Sequence, residues 1–336
     1  MYRAAPPCGT GPAVAAPAPH HSHYNNDGTI VPTCNATAVS CADESQGGRT
    51  LGSIWEGAAF RSARFIEHIG SGAFGSVDLV ELTCADGTIQ RVARKTQPNK
   101  GPVCARHVSQ EVRGMQLASA GSPFALNVLD FVERPDNLEL FAEYFPGGSL
   151  ADQLDLAAGQ NPQSSKRPHL LLPLEQLRKI AFCTLHALAA LHARGMAHLD
   201  VKPDNLLAGD SGKYVLADFG CAKEMDADGC LQGACGTAMY MAPEQFSKTG
   251  FSQKADVFSV GVLMCVCALW HKEGLSVRQF VSRRKKLPKC IKAELRNFLW
   301  ELTVADPSKR PSAQQALEHP FLAGMREEDL LWYAGL

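Results

Sequence analysis

From about Phe60 to Phe145, apolar positions follow the two-residue rhythm of strands, with one helical interruption; beyond Pro173 they follow the rhythm of helices. The run FIEHIGSGAFGSVDLVEL predicts strand, glycine-rich turn and strand, and Asp86-Gly87 predicts the next hairpin turn. From about Val103 to Ala120, Val108, Val112 and Met115 share one helical face, Glu111 borders it, and Gly121 marks the stop. Two more strands are expected around VLDFVE and LELFAEYF, joined by a turn at Pro135-Asp136-Asn137. Residues 157–169, AAGQNPQSSKRPH, read as a polar loop. A helix from Pro173 to Gly195 then carries Leu177, Ala181, Leu185, Leu188 and Leu191 along one stripe, with proline at its first turn and glycine past its end. The longest apolar run, Val257 to Trp270, reads as a buried core helix, because a membrane span needs about 18 residues or more. Residues 1 to about 55 show neither period. Rich in Ala, Pro, Gly, His and Asn, they bury too little apolar surface to offset their ordering entropy, and disorder is expected.

Composition narrows the classes. A chain of 336 residues, 45% apolar and 20% charged, can build one large domain or two ordinary ones around a sizeable core. Its formal net charge of −1 argues against nucleic acid or an anionic membrane as partner, since both are bound through clustered basic charge. None of the spacings among the 12 cysteines suits zinc; Cys230 and Cys235 come nearest and have no second pair. With no signal peptide, these read as reduced thiols of an intracellular, cytoplasmic protein. His20, His21 and His23 read as part of a solvated tail rather than a metal site. The run SRRKK at 282–286 reads as a solvated surface stretch, with a nuclear address as the alternative.

The chemistry concentrates in MAHLDVKPDNLLAGDSGKYVLADFG, residues 196–220. His198, Asp200, Lys202 and Asn205 stand close together, and Asp218, Phe219 and Gly220 follow. An acid, a cation, an amide and a second acid suit phosphoryl transfer to a hydroxyl, which needs positioning and charge neutralisation more than covalent help. Upstream, Gly70, Gly72, Gly75 and Val77 make GxGxxGxV between two predicted strands, with Lys95 twenty residues on in VARK. A dinucleotide-binding glycine loop would enter a helix, and a Walker A loop would end in Gly-Lys-Ser/Thr; this loop does neither.

HLDVKPDN followed by DFG resembles the catalytic loop and metal-binding motif of eukaryotic protein kinases, and the glycine loop resembles their phosphate flap. The resemblance covers about residues 62–324 and implies the two-lobed α+β kinase fold. A small lobe, residues 59–143, would hold an antiparallel sheet and one helix; a mainly helical lobe would span 146–324. The tail 1–58 and a short tail 325–336 would flank them. Asp200 would orient the substrate hydroxyl and accept its proton, Lys202 would neutralise the γ-phosphate, and Thr237 would bridge the two. Lys95 would reach the α- and β-phosphates, aimed by Glu111. Asn205 and Asp218 would bind Mg²⁺. ATP would lie under Ile69, Gly70, Ser71, Gly72, Ala73, Phe74, Gly75, Ser76 and Val77, against Ala93, Ala142 and Leu207, with its adenine bonded to the backbone of Glu143 and Phe145. His198 would pack under Phe219, Gly220 would complete DFG, Glu244 of APE would pair with Arg310, and Asp256 would hold the catalytic-loop backbone. Lys202 with Thr237 implies serine/threonine specificity, so the expected partner is a protein bearing those hydroxyls.

The chain departs from the family pattern at three places. Leu199 stands where many kinases have an arginine that pairs with an activation-loop phosphate. Residues Cys221 to Gly236 contain no Ser, Thr or Tyr, so activity without activation-loop phosphorylation is expected. The same stretch carries Cys221, Cys230 and Cys235, read as ordinary reduced thiols with redox sensitivity as the alternative. Ser149 in GGSL replaces the acid with which basophilic kinases read a substrate arginine, and Asp204 does not suffice alone. EYFPGGSL, HLDVKPDN and DFGCAK look like MAP kinase kinase kinases, while GGSLADQL, LDVKP and DVFSVG are also similar to the Wee/Myt inhibitory kinases. A pseudokinase scaffold is the alternative from another class, but Lys95, Asp200, Asn205 and Asp218 all stand. Small-molecule kinases of the aminoglycoside or choline type lack the APE segment and the aspartate pattern found here.

Overall fold

The computed structural model describes residues 29–30, 62–72, 75–84, 86–159, 170–209, 212–247, 249–269 and 291–331. Strands β2 (Ser62–Gly72), β3 (Gly75–Thr83), β4 (Ile89–Pro98), β5 (Val128–Glu133) and β6 (Asn137–Glu143) form an antiparallel sheet. A two-residue strand, β1 (Thr29–Ile30), is added outside β2, giving the order β1-β2-β3-β4-β6-β5. This corrects the expectation of a wholly disordered tail over residues 1–58. Without β1, β2 would be an edge with open hydrogen-bonding groups, and a short extended piece of the tail pairs with them. The rest of that tail, Ala73, Phe74, Trp270 and the basic run 282–286 lie outside the described residues.

Alternation sends the side chains of the sheet to two faces. Ala63, Val80, Leu82, Val92, Leu129 and Phe141 close a small outer cluster. The inner face adds Leu138, Leu140 and Ala142 to the main core, beneath helix α1 (Pro102–Ser119). Helix α1 buries Val108, Val112, Met115 and Ala118, the face expected from their spacing. Gly75 lets the flap turn press on β4: a Cβ there would lie 2.0 Å from the Thr96 carbonyl oxygen.

After β6 the chain crosses to α2 (Leu150–Gly159), whose start is fixed by Ser149 and Asp152. The Ser149 amide donates to Asp152 Oδ2 at 2.9 Å, and the Asp152 amide donates to Ser149 Oγ at 3.2 Å. The predicted polar loop therefore begins later than expected, because residues 157–159 continue this helix. Leu150 and Leu154 bury one face and alanines fill the last turn, both favouring helix. Helix α3 (Leu174–His192) runs through the middle of the larger lobe, with Pro173 as its N-cap rather than its first helical residue. Helix α4 (Lys254–Leu269) is apolar on nearly every side and correspondingly buried, followed by α5 (Ala293–Leu302) and α6 (Ala313–Leu317). Among the described residues no helix is long and apolar enough to cross a membrane. The expected short C-terminal tail carries a last helix, α7 (Glu327–Leu331): Leu330 is 1% exposed in the main core, and Glu327 lies 3.4 Å from His186 of α3.

One buried ion pair ties the segment before α4 to the turn before α6. Arg310 Nη1 and Nη2 donate to the two carboxylate oxygens of Glu244 at 2.5 and 3.1 Å. Its remaining bonds go to the carbonyls of Val304 and Lys254, and the guanidinium lies 5.0 Å above the Phe258 ring. Fully buried, Arg310 cannot find water if its partner is lost. Glu244→Ala should therefore lower unfolding stability by about 3–5 kcal/mol, read by urea denaturation. A loss under about 1 kcal/mol would mean the pair is not buried in solution.

Candidate active site

Register sets the first half of the site. Lys95 in β4 stands opposite Val77 of β3 and Leu140 of β6, so its side chain leaves the inner face of the sheet beside α1. There its Nζ meets Glu111 Oε1 at 2.5 Å and lies 3.5 Å from Asp218 Oδ1. Burial opposes the charge on Lys95, but the two carboxylates outweigh it and raise the pKa above the ordinary lysine value. Lys95 thus stays cationic at neutral pH. Ala93, two residues earlier on the same face, pairs with Ala142, whose single methyl leaves room behind the expected adenine position. Glu143 ends β6 opposite Val92, and Phe145 begins the crossing segment. Leu207 lies below, in the two-stranded sheet of β8 (Leu206–Ala208) and β9 (Tyr214–Leu216). Gly147 allows the crossing segment to touch that sheet, since a Cβ would lie 2.4 Å from the Ala208 carbonyl oxygen. Ile69, Gly70, Ser71 and Gly72 end β2, and Gly75, Ser76 and Val77 begin β3, so the described part of the flap overhangs the Lys95 face as expected.

The second half is the catalytic loop after β7 (Met196–Ala197). Its anchor is Asp256, fully buried in the first turn of α4. The amides of His198 and Leu199 donate to its Oδ2 and Oδ1 at 2.8 and 2.7 Å, and His192 Nε2 donates to Oδ2 at 2.8 Å. Burial would raise the Asp256 pKa, but these donors hold it below the usual carboxylate value. Held in this way, Leu199 adopts φ 66°, and Asp218 shares the left-handed region at φ 56°. Strain of this kind costs about 1–3 kcal/mol per residue and persists only where the surroundings dictate it.

Asp200 emerges from that loop with both oxygens occupied. The Thr237 amide donates to Oδ1 at 2.7 Å, while Lys202 Nζ donates to Oδ2 at 2.8 Å and to Thr237 Oγ1 at 3.0 Å. Although burial pushes the other way, these bonds keep the Asp200 pKa below its ordinary value, so it is an anion at neutral pH. Asn205 donates through Nδ2 to the Asp200 carbonyl at 2.8 Å and to Oδ2 at 3.1 Å, which turns its amide oxygen the other way. That oxygen and the 40%-exposed carboxylate of Asp218 are hard donors of the kind Mg²⁺ prefers. Among the described residues no group of three or more His, Cys, Asp or Glu could hold a metal. A pair of protein oxygens completed by water and phosphate fits Mg²⁺ binding.

His198 packs as expected, edge-on to Phe219 with centroids 4.8 Å apart. Its Nδ1 accepts from the Asp200 amide and its Nε2 donates to the Ala217 carbonyl. Burial lowers its pKa, so it is a neutral spacer with one fixed tautomer. Gly220 sits beside Asp218 Oδ1, at 3.2 Å from where its Cβ would be.

Several contributors escaped the sequence reading. His192 stood unremarked beside Leu191, the last residue of a helical stripe, yet it donates to Asp256. Gly114 of α1 clears space for Phe219, whose Cδ1 would lie 3.0 Å from an added Cβ. Gly236 presses the activation segment on the catalytic loop, where a Cβ would lie 2.1 Å from the Leu199 carbonyl oxygen. Only its place beside Thr237 hinted at this.

Residues 63–322 match the family described as "Protein kinase domain", and the chain belongs to that family. It is 31% identical over 284 residues to mitogen-activated protein kinase kinase kinase 3 of Arabidopsis thaliana, covering 78% of this chain and 41% of the relative. To the kinase kinase kinase ANP1 of the same plant it is 30% identical, covering 77% and 40%. To mitogen-activated protein kinase kinase 1 of that plant it is also 30% identical, covering 79% and 75%. The chain thus spans about two fifths of the first two relatives. Its domain is a protein kinase domain, similar to those of MAP kinase kinase kinases.

Asp256→Asn keeps one acceptor and turns an NH₂ toward a backbone amide. A resulting shift of Asp200 of about 1 Å should cost about 100-fold in kcat. Affinity for ATP, which depends on the sheet and Lys95, should stay near wild type; steady-state kinetics with nucleotide titration reads both.

Proposed function

We propose that this chain transfers the γ-phosphoryl group of ATP, as its Mg²⁺ complex, to serine or threonine hydroxyls of protein substrates. We propose further that it does so without a phosphate on its own activation segment. The arrangement of Asp200, Lys202 and Thr237 carries the first reading: an anionic acceptor fixed by two donors, with a cation 2.8 Å away. Asp200 orients the incoming hydroxyl and takes its proton, Lys202 meets charge growing on the transferred group, and Lys95 holds the remaining phosphates. Mg²⁺, held by Asn205 and Asp218, would neutralise charge on the β- and γ-phosphate oxygens. An intracellular, cytoplasmic setting goes with ATP use and unpaired thiols.

Support for the second reading comes from bonds within the activation segment. Asp226 accepts from the Asp228 and Cys230 amides at 3.1 and 2.7 Å, closing a turn. Lys223 Nζ donates to the Gln232 and Gly233 carbonyls at 3.2 and 3.1 Å. Leu231 pairs with Phe251, and strand β10 (Lys223–Glu224) pairs with β7. Glu224 lies 2.8 Å from Arg113 of α1, a direct ion pair between segment and helix. Leu199 is buried and offers no cation to a phosphate.

Transfer of labelled phosphate from ATP to a peptide library should fall about 100-fold or more in Asp200→Ala and in Lys95→Met. Equal transfer by these variants and wild type would overturn the assignment. Phosphatase treatment of the purified chain should leave its transfer rate unchanged, whereas abolished activity would refute independence from activation-segment phosphate.

A further inference from the structure

Ser122, His186 and Glu327 stand in one line across three elements that are far apart in the chain. Ser122 lies in the turn between α1 and β5, His186 in the second half of α3, and Glu327 at the start of α7. Ser122 Oγ is 2.8 Å from His186 Nδ1, and His186 Nε2 is 3.4 Å from Glu327 Oε2. None of the three belongs to the site described above. We propose that His186 is a positioning residue for phosphoryl transfer. It locks the turn 122–126, from which α1 and β9 both take their places, and α7 holds its imidazole in the form that does so.

The proton arrangement follows from the neighbours. An ionised carboxylate only accepts, so the ring proton belongs on Nε2, facing Glu327, and Nδ1 is left as an acceptor. Ser122 Oγ accepts from the Phe124 amide at 3.2 Å and gives its own hydrogen to Nδ1. Ser122 is 2% exposed and Phe124 is fully buried, so water cannot replace either bond. The imidazole is wedged edge-on against Phe124, with centroids 5.3 Å apart, and beside Phe182 at 5.8 Å. A polar ring between two phenylalanines costs desolvation that an apolar side chain would avoid; in return its two nitrogens impose one definite arrangement. Leu330, buried in the main core, seats α7 and so fixes where Glu327 stands.

Two paths lead from the turn to the reacting groups. On one side it ends α1, the helix that carries Glu111 to Lys95. On the other, the Leu126 amide donates to the Leu216 carbonyl and the Leu216 amide donates to the Phe124 carbonyl, both at 2.8 Å. Leu216 closes β9, two residues before Asp218. A loosened turn therefore displaces Glu111 and Asp218 from Lys95, which both of them address. The adenine side rests instead on the ladder between β4 and β6. Loss of the lock should thus lower turnover and spare nucleotide affinity.

The positioning role rests on the kinase reading above; the lock itself does not. Steady-state transfer to peptide is measured for the full chain, alongside hydrogen–deuterium exchange of the segment 108–126. His186→Ala should lower kcat about tenfold, leave the KM for ATP within about twofold of wild type, and speed exchange across the turn. His186→Asn puts an amide oxygen where Nδ1 stands and should restore most of kcat and the slow exchange. His186→Gln, which reaches toward Glu327 instead, should restore neither. Glu327→Ala should lower kcat about threefold by itself and no further when added to His186→Asn. Ser122→Ala leaves the imidazole and its ring contacts in place and should reproduce the loss, which keeps the test open if His186→Ala does not fold. Wild-type kcat in His186→Ala and Ser122→Ala, an equal loss in His186→Asn, or a raised KM for ATP in place of a lowered kcat would overturn the positioning role. Unchanged exchange in His186→Ala and Ser122→Ala would overturn the lock. A wild-type chain that transfers no phosphate would refute the kinase reading, and exchange alone would then decide whether the lock exists.

Discussion

A carboxylate without access to water must be solvated by the protein, and Asp256 meets that requirement with the backbone amides of His198 and Leu199 and the imidazole of His192. The catalytic loop is shaped by this demand. Two consecutive amides aimed at one side chain leave Leu199 in the left-handed region, and the next residue, Asp200, is turned toward the cleft. The strain at Leu199 is offset by three hydrogen bonds to a buried charge, each stronger than a neutral one. Asp200 is then held from its far side by Thr237 and Lys202, so its position is fixed by two elements distant in sequence.

The two lobes meet through charge and shape together. Lys95 brings the sheet, helix α1 and Asp218 to one point, and each opposite charge raises its preference for the protonated form. Beside that point Gly114 lets Phe219 close on α1, so the helix that positions Glu111 also senses the place of Asp218. Displacing either would separate a buried cation from its partners, a costly event in a low-dielectric setting. The arrangement favours one closed geometry over intermediate ones.

The activation segment reaches order by a different route. Turn bonds at Asp226, the Lys223 contacts, the Leu231–Phe251 pairing and the Arg113–Glu224 pair tie it together and to its neighbours. Each is modest, and the Arg113–Glu224 pair is solvent-exposed, so the segment is held by many small contributions.

Much of the site was legible in the chain itself. Phosphoryl transfer demands particular side chains at short spacing, so HLDVKPDN and DFG announced Asp200, Lys202, Asn205 and Asp218, and VARK after the glycine loop marked Lys95. The sheet and helices α1, α3 and α4 followed from apolar period, which is local information. Three things were not local. A two-residue strand at Thr29–Ile30 depends on an open edge elsewhere, and α7 depends on a core that takes in Leu330 and on His186 of α3 beside Glu327. His192, Gly114 and Gly236 matter only because distant backbone or rings approach within a few ångströms of them. Residue chemistry and period therefore determined the reaction class and the lobes. The close approaches that fix Leu199 and seat Phe219 were decided by tertiary packing, because steric fit and buried charge exist only between segments already brought into contact.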